Sequence, residues 1–456
     1  MTSAATVEVP FGPADEIRDD RRPDRGLPKT SDRIGGIGCP DYTRRLRLLG
    51  DAPDVPLSVY VHLPFCPVRC LYCGCNTTIT HSSERIDHYL DCLEREIQLV
   101  TALTGRRREL LQFHVGGGTP NYLNDSQLVR TVEMIGEHFR VLGETETSIE
   151  CNPRRASASQ LTLLRELGFR RISFGVQDLH PPVQKAIGRV HSKELVGDVC
   201  KMAREAGFEY INIDLIYGLP YQTPTSFQET VGAIIESAPD RVSCFAYSHN
   251  PVERPHQHAL DCAQIPSSLD RSALFRNAVT RFTESGYTWV GLDSFVLDTD
   301  ELAIAQDEGR LFRNCIGYTS SPTRYLLAFG MGAIGDIDGT LVQNTENLPE
   351  WLRKLSGDEL AVASVRELCA PERRRRAALM QLLCNLELPI DAAVQALPDE
   401  FARLDQHVAG GLVEVDRTTI RLTEHGRYQL HDLCVDPKAA LQADGALWPL
   451  LHSTGK

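Results

Sequence analysis

The chain has 456 residues, 42% of them hydrophobic, enough for a large core and more than one domain. Lys and Arg total 48 against 61 Asp and Glu, a formal net charge of −13, so an extended nucleic-acid footprint is not expected. No apolar run approaches a membrane span and no signal-peptide pattern opens the sequence, so a cytoplasmic setting is expected.

Residues 1–50 are rich in Asp, Arg, Pro and Gly with little periodicity, and DEIRDDRRPDRGLPKTSDR reads as a loosely draped arm. From 51 to about 345, strand-like runs alternate with amphipathic helices. LSVYVHL, LLQFHV, TSIEC, RRISFGV, YINIDLIY and RVSCFAY each read as a buried strand. In RIDHYLDCLEREIQLV, Ile86, Leu90, Leu93 and Ile97 recur at helical spacing. In DSQLVRTVEMIGEHF, Leu128, Val132, Ile135 and Phe139 do so, with Asp125 or Ser126 as the expected cap. Six strand–helix units imply parallel strands with right-handed crossovers, an α/β fold of the partial (β/α)6 barrel type. Residues 346–456 change character. ERRRRAALMQLLCNLELPIDAAVQAL reads as helices and EVDRTTIRLTEHGR as two short strands round a turn, so a small helical, winged-helix-like domain is expected. The Arg373–Arg376 run is expected on a solvated helix face.

Reactive groups in parallel α/β barrels come from the C-terminal ends of strands. The first strand runs into LPFCPVRCLYCGCN, where Cys66, Cys70 and Cys73 make C-x3-C-x2-C and Cys75 follows. Three thiolates so spaced suit one face of a cubane cluster with one iron left free of protein. A structural zinc site would need a fourth ligand, from Cys75 or His62. Disulfides are disfavoured by such dense spacing in a chain without secretory features. The other ten cysteines, among them Cys39, Cys92, Cys151 and Cys434, read as small buried hydrophobes. The second strand ends in Gly116-Gly117-Gly118-Thr119-Pro120, whose glycines permit close backbone approach to a ligand. The third ends in Glu150, the fourth in Gln177-Asp178, and the fifth carries Asp214. Each alone reads as a loop hydrogen bond. On successive strands they favour a ligand-lined mouth, since a polar group inside an apolar strand is costly unless paired.

The run Tyr60-Val-His62-Leu-Pro64-Phe65-Cys66, with this cysteine spacing and Cys75 placed C-x-C after the third cysteine, resembles the radical S-adenosylmethionine (SAM) superfamily. Within it, the run is similar to the oxygen-independent coproporphyrinogen III oxidase (dehydrogenase) family. GVQDLHPPVQKAIGRVH, INIDLIYGLPYQTPTSF, ELAIAQDEGRLFRNCIGYTS and CNLEL extend the likeness over most of residues 57–430. The resemblance implies a radical SAM barrel over 51–345 and a helical cover over 346–456. It implies a [4Fe–4S] cluster on Cys66, Cys70 and Cys73. It also implies two SAM molecules, bound or shaped by Tyr60, Gly117, Gly118, Thr119, Glu150, Gln177, Arg189, Asp214 and Ile334. Tyr72 would flank the adenine, and Ser248 stands where the family has alanine. Tyr60, His62 and Cys75 fall in the implied catalytic set, His62 beside the cluster and Cys75 shaping the loop or substrate channel. The implied reaction is oxidative decarboxylation of coproporphyrinogen III propionates by a 5′-deoxyadenosyl radical, in porphyrin biosynthesis, with an electron from a donor such as flavodoxin or ferredoxin. A monomer acting on a small molecule, without nucleic acid or membrane, is expected.

Three departures lie toward the substrate side. The family's Tyr-Thr-Ser-Tyr-Pro-Thr string is absent from residues 27–45. Its Met-Asp-His-Phe is Leu292-Asp293-Ser294-Phe295 here, and its Arg-Asn-Phe-Gln-Gly-Tyr-Thr-Thr is Arg313-Asn314-Cys315-Ile316-Gly317-Tyr318-Thr319-Ser320. Arg313 and Arg324 are the candidate cations for substrate carboxylates. Two alternatives stand beside this reading: a radical SAM methyltransferase or cyclopropanase using a second SAM as carbon donor, and a haem-binding chaperone on the same fold. Cys75 argues against the chaperone.

Overall fold

The structure, a computed structural model, describes residues 39–105 and 107–435. The residues before 39, including the greater part of the expected N-terminal arm, lie outside that description. Twelve strands form one sheet. The first six are β1 (Leu57–Leu63), β2 (Arg108–Gly117), β3 (Phe139–Cys151), β4 (Arg171–Gln177), β5 (Tyr210–Tyr217) and β6 (Arg241–Ala246). They lie side by side in chain order, every pair parallel. β6 pairs next with β8 (Ser294–Leu297) of an antiparallel hairpin whose first strand is β7 (Tyr287–Val290). At the other edge β9 (Tyr325–Phe329) runs parallel to β1 and leads into an antiparallel meander of β10 (Ile334–Ile337), β11 (Thr340–Asn344) and β12 (Val362–Glu367). β1 and β6 do not pair, so the barrel is partial, as expected.

The strands are not apolar on both faces. Side chains alternate with period two. One face, carrying Val59, Val61, Phe113, Val115, Ile149, Ile172, Phe174, Ile211, Ile213, Val242 and Cys244, belongs to the main core. Helices seal it. Ser83–Thr104 buries Ile86, Leu90, Leu93 and Ile97, and Asp125–His138 buries Leu128 and Ile135. The second of these is capped by neither Asp125 nor Ser126. Asn124 accepts from the Gln127 amide and the Gln127 side chain accepts from the Asn124 amide, because Asn124 alone has the extended backbone a cap needs. Phe139 has already left the helix for β3.

The other face is polar and satisfies itself. Gln112 accepts from Ser58 (2.8 Å) and from Asn314 (2.7 Å) and donates to Glu146 (3.0 Å). Glu146, buried, also accepts from Arg171 (3.0 Å) and Thr319 (2.9 Å). Arg171 bridges on to Glu301, which pairs with Arg241 (2.9 Å), itself 2.7 Å from Asp300. Segment 300–320 is therefore tied by charge into the N-terminal half of the barrel face.

Three expectations change. Residues 39–50, assigned to the loose arm, form a helix that buries Tyr42, Leu46 and Leu49, and Arg45 of that helix pairs with Glu367 on β12. The barrel sheet continues to residue 367, past the expected boundary at 345. The arginine run is not a solvated face. On the helix Ala370–Asn385, Arg373 pairs with Glu367 (3.4 Å) and Asp338 (3.5 Å), Arg375 with Glu400, and Arg376 with Asp336 (2.5 Å), fastening the C-terminal segment to the meander. That segment holds the expected helices and hairpin, Val413–Val415 and Thr419–Leu422, plus a third strand at Glu387–Pro389. Cys92, Cys151 and Cys434 are buried as expected, whereas Cys262 and Cys369 are exposed, and the Cys39 side chain lies outside the described residues. Among the described residues no helix is long and apolar enough to cross a membrane.

Removing one partner of a buried charge pair leaves the other uncompensated. Glu146→Ala is expected to destabilise the protein by about 3–5 kcal/mol and to open segment 300–320 to protease. An unchanged melting midpoint and digestion pattern would show that the network is dispensable.

Candidate active site

The cysteine loop begins where β1 ends. Phe65–Cys66 pairs in parallel with Thr78–Ile79, which closes the loop on itself. The glycine run then stitches to it. The Gly118 amide donates to Leu63 O (2.8 Å) and the Thr119 amide to Phe65 O (2.9 Å). A Cβ at Gly118 would lie 2.7 Å from the Pro64 carbonyl, and Gly117, at φ +118°, would press one against the His62 ring at 2.8 Å. Two bare backbones thus meet at the mouth, which only glycine allows.

Tyr60, His62, Cys66, Gly117, Thr119 and Glu150 form one connected group. His62 Nε2 is 2.9 Å from Asn76 O, so that nitrogen carries the proton and Nδ1 accepts from Tyr60 Oη at 2.9 Å. Burial holds the imidazole below its usual range and pushes the Tyr60 phenol well up, so both are neutral at pH 7. Cys66 Sγ lies 3.3 Å from Thr119 Oγ1, and Glu150 accepts from the Gly117 amide at 3.1 Å.

A second group gathers at Cys70. Arg189 NH1 reaches its sulfur at 3.6 Å while Nε donates to Gly175 O at 3.1 Å. Gln177 stands beside it at φ +75°, a left-handed conformation uncommon for a residue with a side chain. Its Oε1 is buried with no protein partner among the described residues, and so is Asn76 Nδ2. Cys73 is drawn below the usual thiol range by a hydrogen bond from Cys75, against its burial. Tyr72 packs beside the cluster of Val183, Ile187, Leu219, Tyr247 and Leu260. Asp214 accepts from Asn212 at 2.8 Å.

Not every candidate joins. Asp178, beside Gln177, faces away and is fully used, accepting from the His180 amide (2.6 Å), Gln222 (2.6 Å) and Thr230 (3.2 Å). Ser248 is exposed, and its carbonyl accepts from Gln257 at 3.4 Å. Ile334, half-buried, sits two residues beyond Gly332, where an added Cβ would collide with the Asn76 amide. Arg313 is enclosed, stacked on Tyr318 at 5.4 Å and 3.9 Å from Asp293, with its Nε unpartnered among the described residues. Arg324 is corrected: its side chain is 80% exposed and faces Asp338 on the turn between β10 and β11.

Two parts were missed. His114 stacks on Tyr60 at 5.7 Å and approaches Glu150 to 3.5 Å; its place two residues before Gly116, in step with Tyr60 on β1, was the available signal. Segment 254–257 grips the loop from outside, Arg254 to Gly74 O (2.8 Å), His256 to Cys73 O (2.8 Å) and Gln257 to Tyr72 O (2.9 Å). Nothing local in that segment announces the contact.

Among the described residues no three His, Cys, Asp or Glu side chains converge as the ligands of a single metal ion would. A cubane spreads its ligands over separate irons, and three half-exposed free thiols on one short loop are a donor set of that kind. With the glycine cradle and the orphaned atoms of Gln177 and Asn76, the mouth fits a cluster with a polar organic cofactor beside it.

A parallel α/β barrel with a three-cysteine loop at its strand ends defines a radical SAM protein, and the Radical SAM superfamily pattern matches residues 60–234. Over 402 residues the chain is 38% identical to the oxygen-independent coproporphyrinogen III oxidase of Escherichia coli (strain K12), spanning 86% of this chain and 87% of that one. The enzyme of that name from Pseudomonas aeruginosa is 36% identical over 410 residues, 88% and 89% of the two chains. The solved E. coli coproporphyrinogen III oxidase superposes with a TM-score of 0.81 at 36% identity, covering 88% of this chain and 94% of that one. The chain belongs to the oxygen-independent coproporphyrinogen III oxidase family. It is a radical SAM enzyme, and that membership implies a [4Fe–4S] cluster and SAM.

Gly118→Ala forces a methyl against the Pro64 backbone and is expected to cost about 1–3 kcal/mol, with faster amide exchange over residues 64–70. Gly74→Ala, with nothing within 4 Å of the added carbon, is expected to be near neutral. Equal effects from the two would refute the close-approach argument.

Proposed function

We propose that this chain decarboxylates the propionate side chains of coproporphyrinogen III, with Cys66, Cys70 and Cys73 holding the cluster. The observation that carries the reading is the likeness to coproporphyrinogen III oxidases over 86–88% of the chain, joined to the connected Tyr60–His62–Cys66–Gly117–Glu150 group. Bound there, the cluster and SAM supply a 5′-deoxyadenosyl radical able to take hydrogen from unactivated carbon.

The chain's own residues do the rest. The Gly117–Gly118 backbone, Thr119, Glu150, Gln177, Arg189 and Asp214 offer the donors and acceptors that orient SAM, with Tyr72 bounding the pocket. In this reading a second SAM molecule draws on the same ring of groups. Tyr60 and His62, neutral and locked to each other, hold the first strand to Asn76 and keep the loop in register. Cys75 serves Cys73 by hydrogen bond, which suits a loop-shaping role better than a fourth ligand. Arg313, enclosed and short of partners, is the cation for a substrate carboxylate. Flavodoxin or ferredoxin supplies the electron.

Cys66→Ala is expected to lose the brown chromophore and all 5′-deoxyadenosine formation, and Cys75→Ala to keep the chromophore. Iron analysis and absorbance after anaerobic reconstitution decide; loss of iron in Cys75→Ala to the same extent as in Cys66→Ala would overturn the ligand set.

The departures at Ser294 and Ile316 lie on the two segments that meet at Arg313: Asp293 faces Arg313, and the Leu292 amide donates to Tyr318 Oη at 2.8 Å. Decarboxylation of coproporphyrinogen III is therefore expected to be slow relative to 5′-deoxyadenosine formation, and Ser294→His with Ile316→Gln to raise it. Mass spectrometry of the products checks this; full conversion by wild type with no change in the double variant would refute the reading of these positions.

A further inference from the structure

The chain carries 13 more acidic than basic groups, and most of the arginines described above are paired with carboxylates. One surface breaks that pattern. Around the loop, Arg69, Arg154 and Arg155 are exposed, and Arg189 lies against the Cys70 sulfur with Arg154 near both. None of the four has a carboxylate within ion-pair distance among the described residues. Asp125 shares a cleft with Arg155 but stays outside that range.

The elements that bring these groups together are distinct. Arg69 is in the loop and donates to Thr77 O at 3.2 Å. Arg154 and Arg155 stand on the turn after β3, where Arg155 covers the Tyr122 ring at 4.7 Å; Tyr122 donates to Thr80 O, and the Thr80 amide donates to Cys66 O. The Leu71 amide donates to Ile187 O at 3.0 Å, which draws the helix Pro181–Ile187 and the following Val190 to the same flank. Val68 and Val190 are 62% and 63% exposed. Two exposed valines, each next in sequence to an unpaired arginine on the loop or on the flank bonded to it, have the composition of a small transient interface, apolar and cationic together.

Electrons enter this enzyme through the cluster, so a reductant must approach its ligand loop. The opposite flank is covered by segment 254–257. We infer that the Cys70 flank, built on Val68, Arg69, Arg154, Arg155 and Val190, docks an acidic one-electron carrier protein of the flavodoxin kind. The inference rests on the proposed cluster ligands and deepens that reading by assigning the donor a surface. Unpaired cations near the point of entry steer an acidic partner and orient it, while the acidic remainder of the surface repels it from unproductive faces.

The test drives SAM cleavage in the reconstituted holoenzyme with two reductants. Sodium dithionite needs no docking surface; photoreduced flavodoxin does. Arg155→Glu combined with Val190→Glu is expected to lower the flavodoxin-driven rate about tenfold and to leave the dithionite-driven rate within about twofold. Raising KCl from about 0.05 to 0.5 M should slow the wild type with flavodoxin and not with dithionite. Equal loss with both reductants, or an unaltered flavodoxin-driven rate, would overturn the assignment. Flavodoxin affinity from flavin fluorescence gives a second reading, and equal affinities for wild type and variant would overturn it as well. Failure of dithionite to drive any cleavage in the wild type would instead sink the proposed function, and the affinity comparison would still decide the docking surface.

Discussion

The structure depends on one constraint: a parallel sheet sealed by helices on one face carries polar and charged residues on the other. Charges taken out of water are tolerated only when paired and hydrogen-bonded. In the N-terminal half of the barrel the pairing is internal. Ser58, Gln112, Glu146, Arg171, Arg241, Asp300 and Glu301 come from five strands and one inserted segment, and they answer one another. Nothing else is needed to satisfy them, so this half is support.

At the opposite, C-terminal half of the same strands the accounting is left open. Gln177 Oε1 and Asn76 Nδ2 are buried without protein partners among the described residues, and both ring nitrogens of His191 join them. Gln177 is moreover held in a left-handed conformation that costs of order 1–3 kcal/mol. Strain and orphaned polar atoms gathered beside the cysteine loop are what an incomplete binding site leaves behind. Glu96 shows how the open end is kept in place. It lies on the helix Ser83–Thr104, accepts from the Gly330 amide (2.7 Å) and Asn344 (2.6 Å), and burial pushes its carboxyl up to about 8. From the same helix Tyr89 donates to His62 O at 2.7 Å. One helix thereby ties the end of β1 to the start of the meander.

What was legible in the sequence follows range. The six parallel strands and the cysteine loop are local patterns, and they fall where periodicity and spacing put them. The polar alternation of the strands was overlooked because each run contains enough Val, Ile and Leu to look uniformly apolar; the period-two positions of Gln112, Glu146 and Arg171 hold the correction. Pairings between distant segments leave no local trace. Arg376 with Asp336, Arg45 with Glu367, and Asn314 with Gln112 join residues 40 to more than 300 apart, so the arginine run looked solvated and the first helix looked like an arm. Arg313 and Arg324 looked equivalent in sequence, yet one is stacked inside on Tyr318 and the other stands in solvent.

The cysteine loop and the segments bearing Ser294 and Ile316 are held by different means. The cysteine loop hangs on β1, β2, the helix Ser83–Thr104 and segment 254–257. The segments bearing Ser294 and Ile316 hang on the Glu146 network and on the helix Glu424–Val435, whose Arg427 lies over Trp289 at 3.7 Å and donates to Gly291 O at 2.9 Å. Asn385 adds two hydrogen bonds to Leu311, 2.9 and 3.1 Å, from the C-terminal segment. A substitution at 294 or 316 therefore falls among contacts that do not pass through His62, Cys66 or Gly117. The cysteine loop and the segments bearing Ser294 and Ile316 are separately supported, so a change at one need not pass to the other.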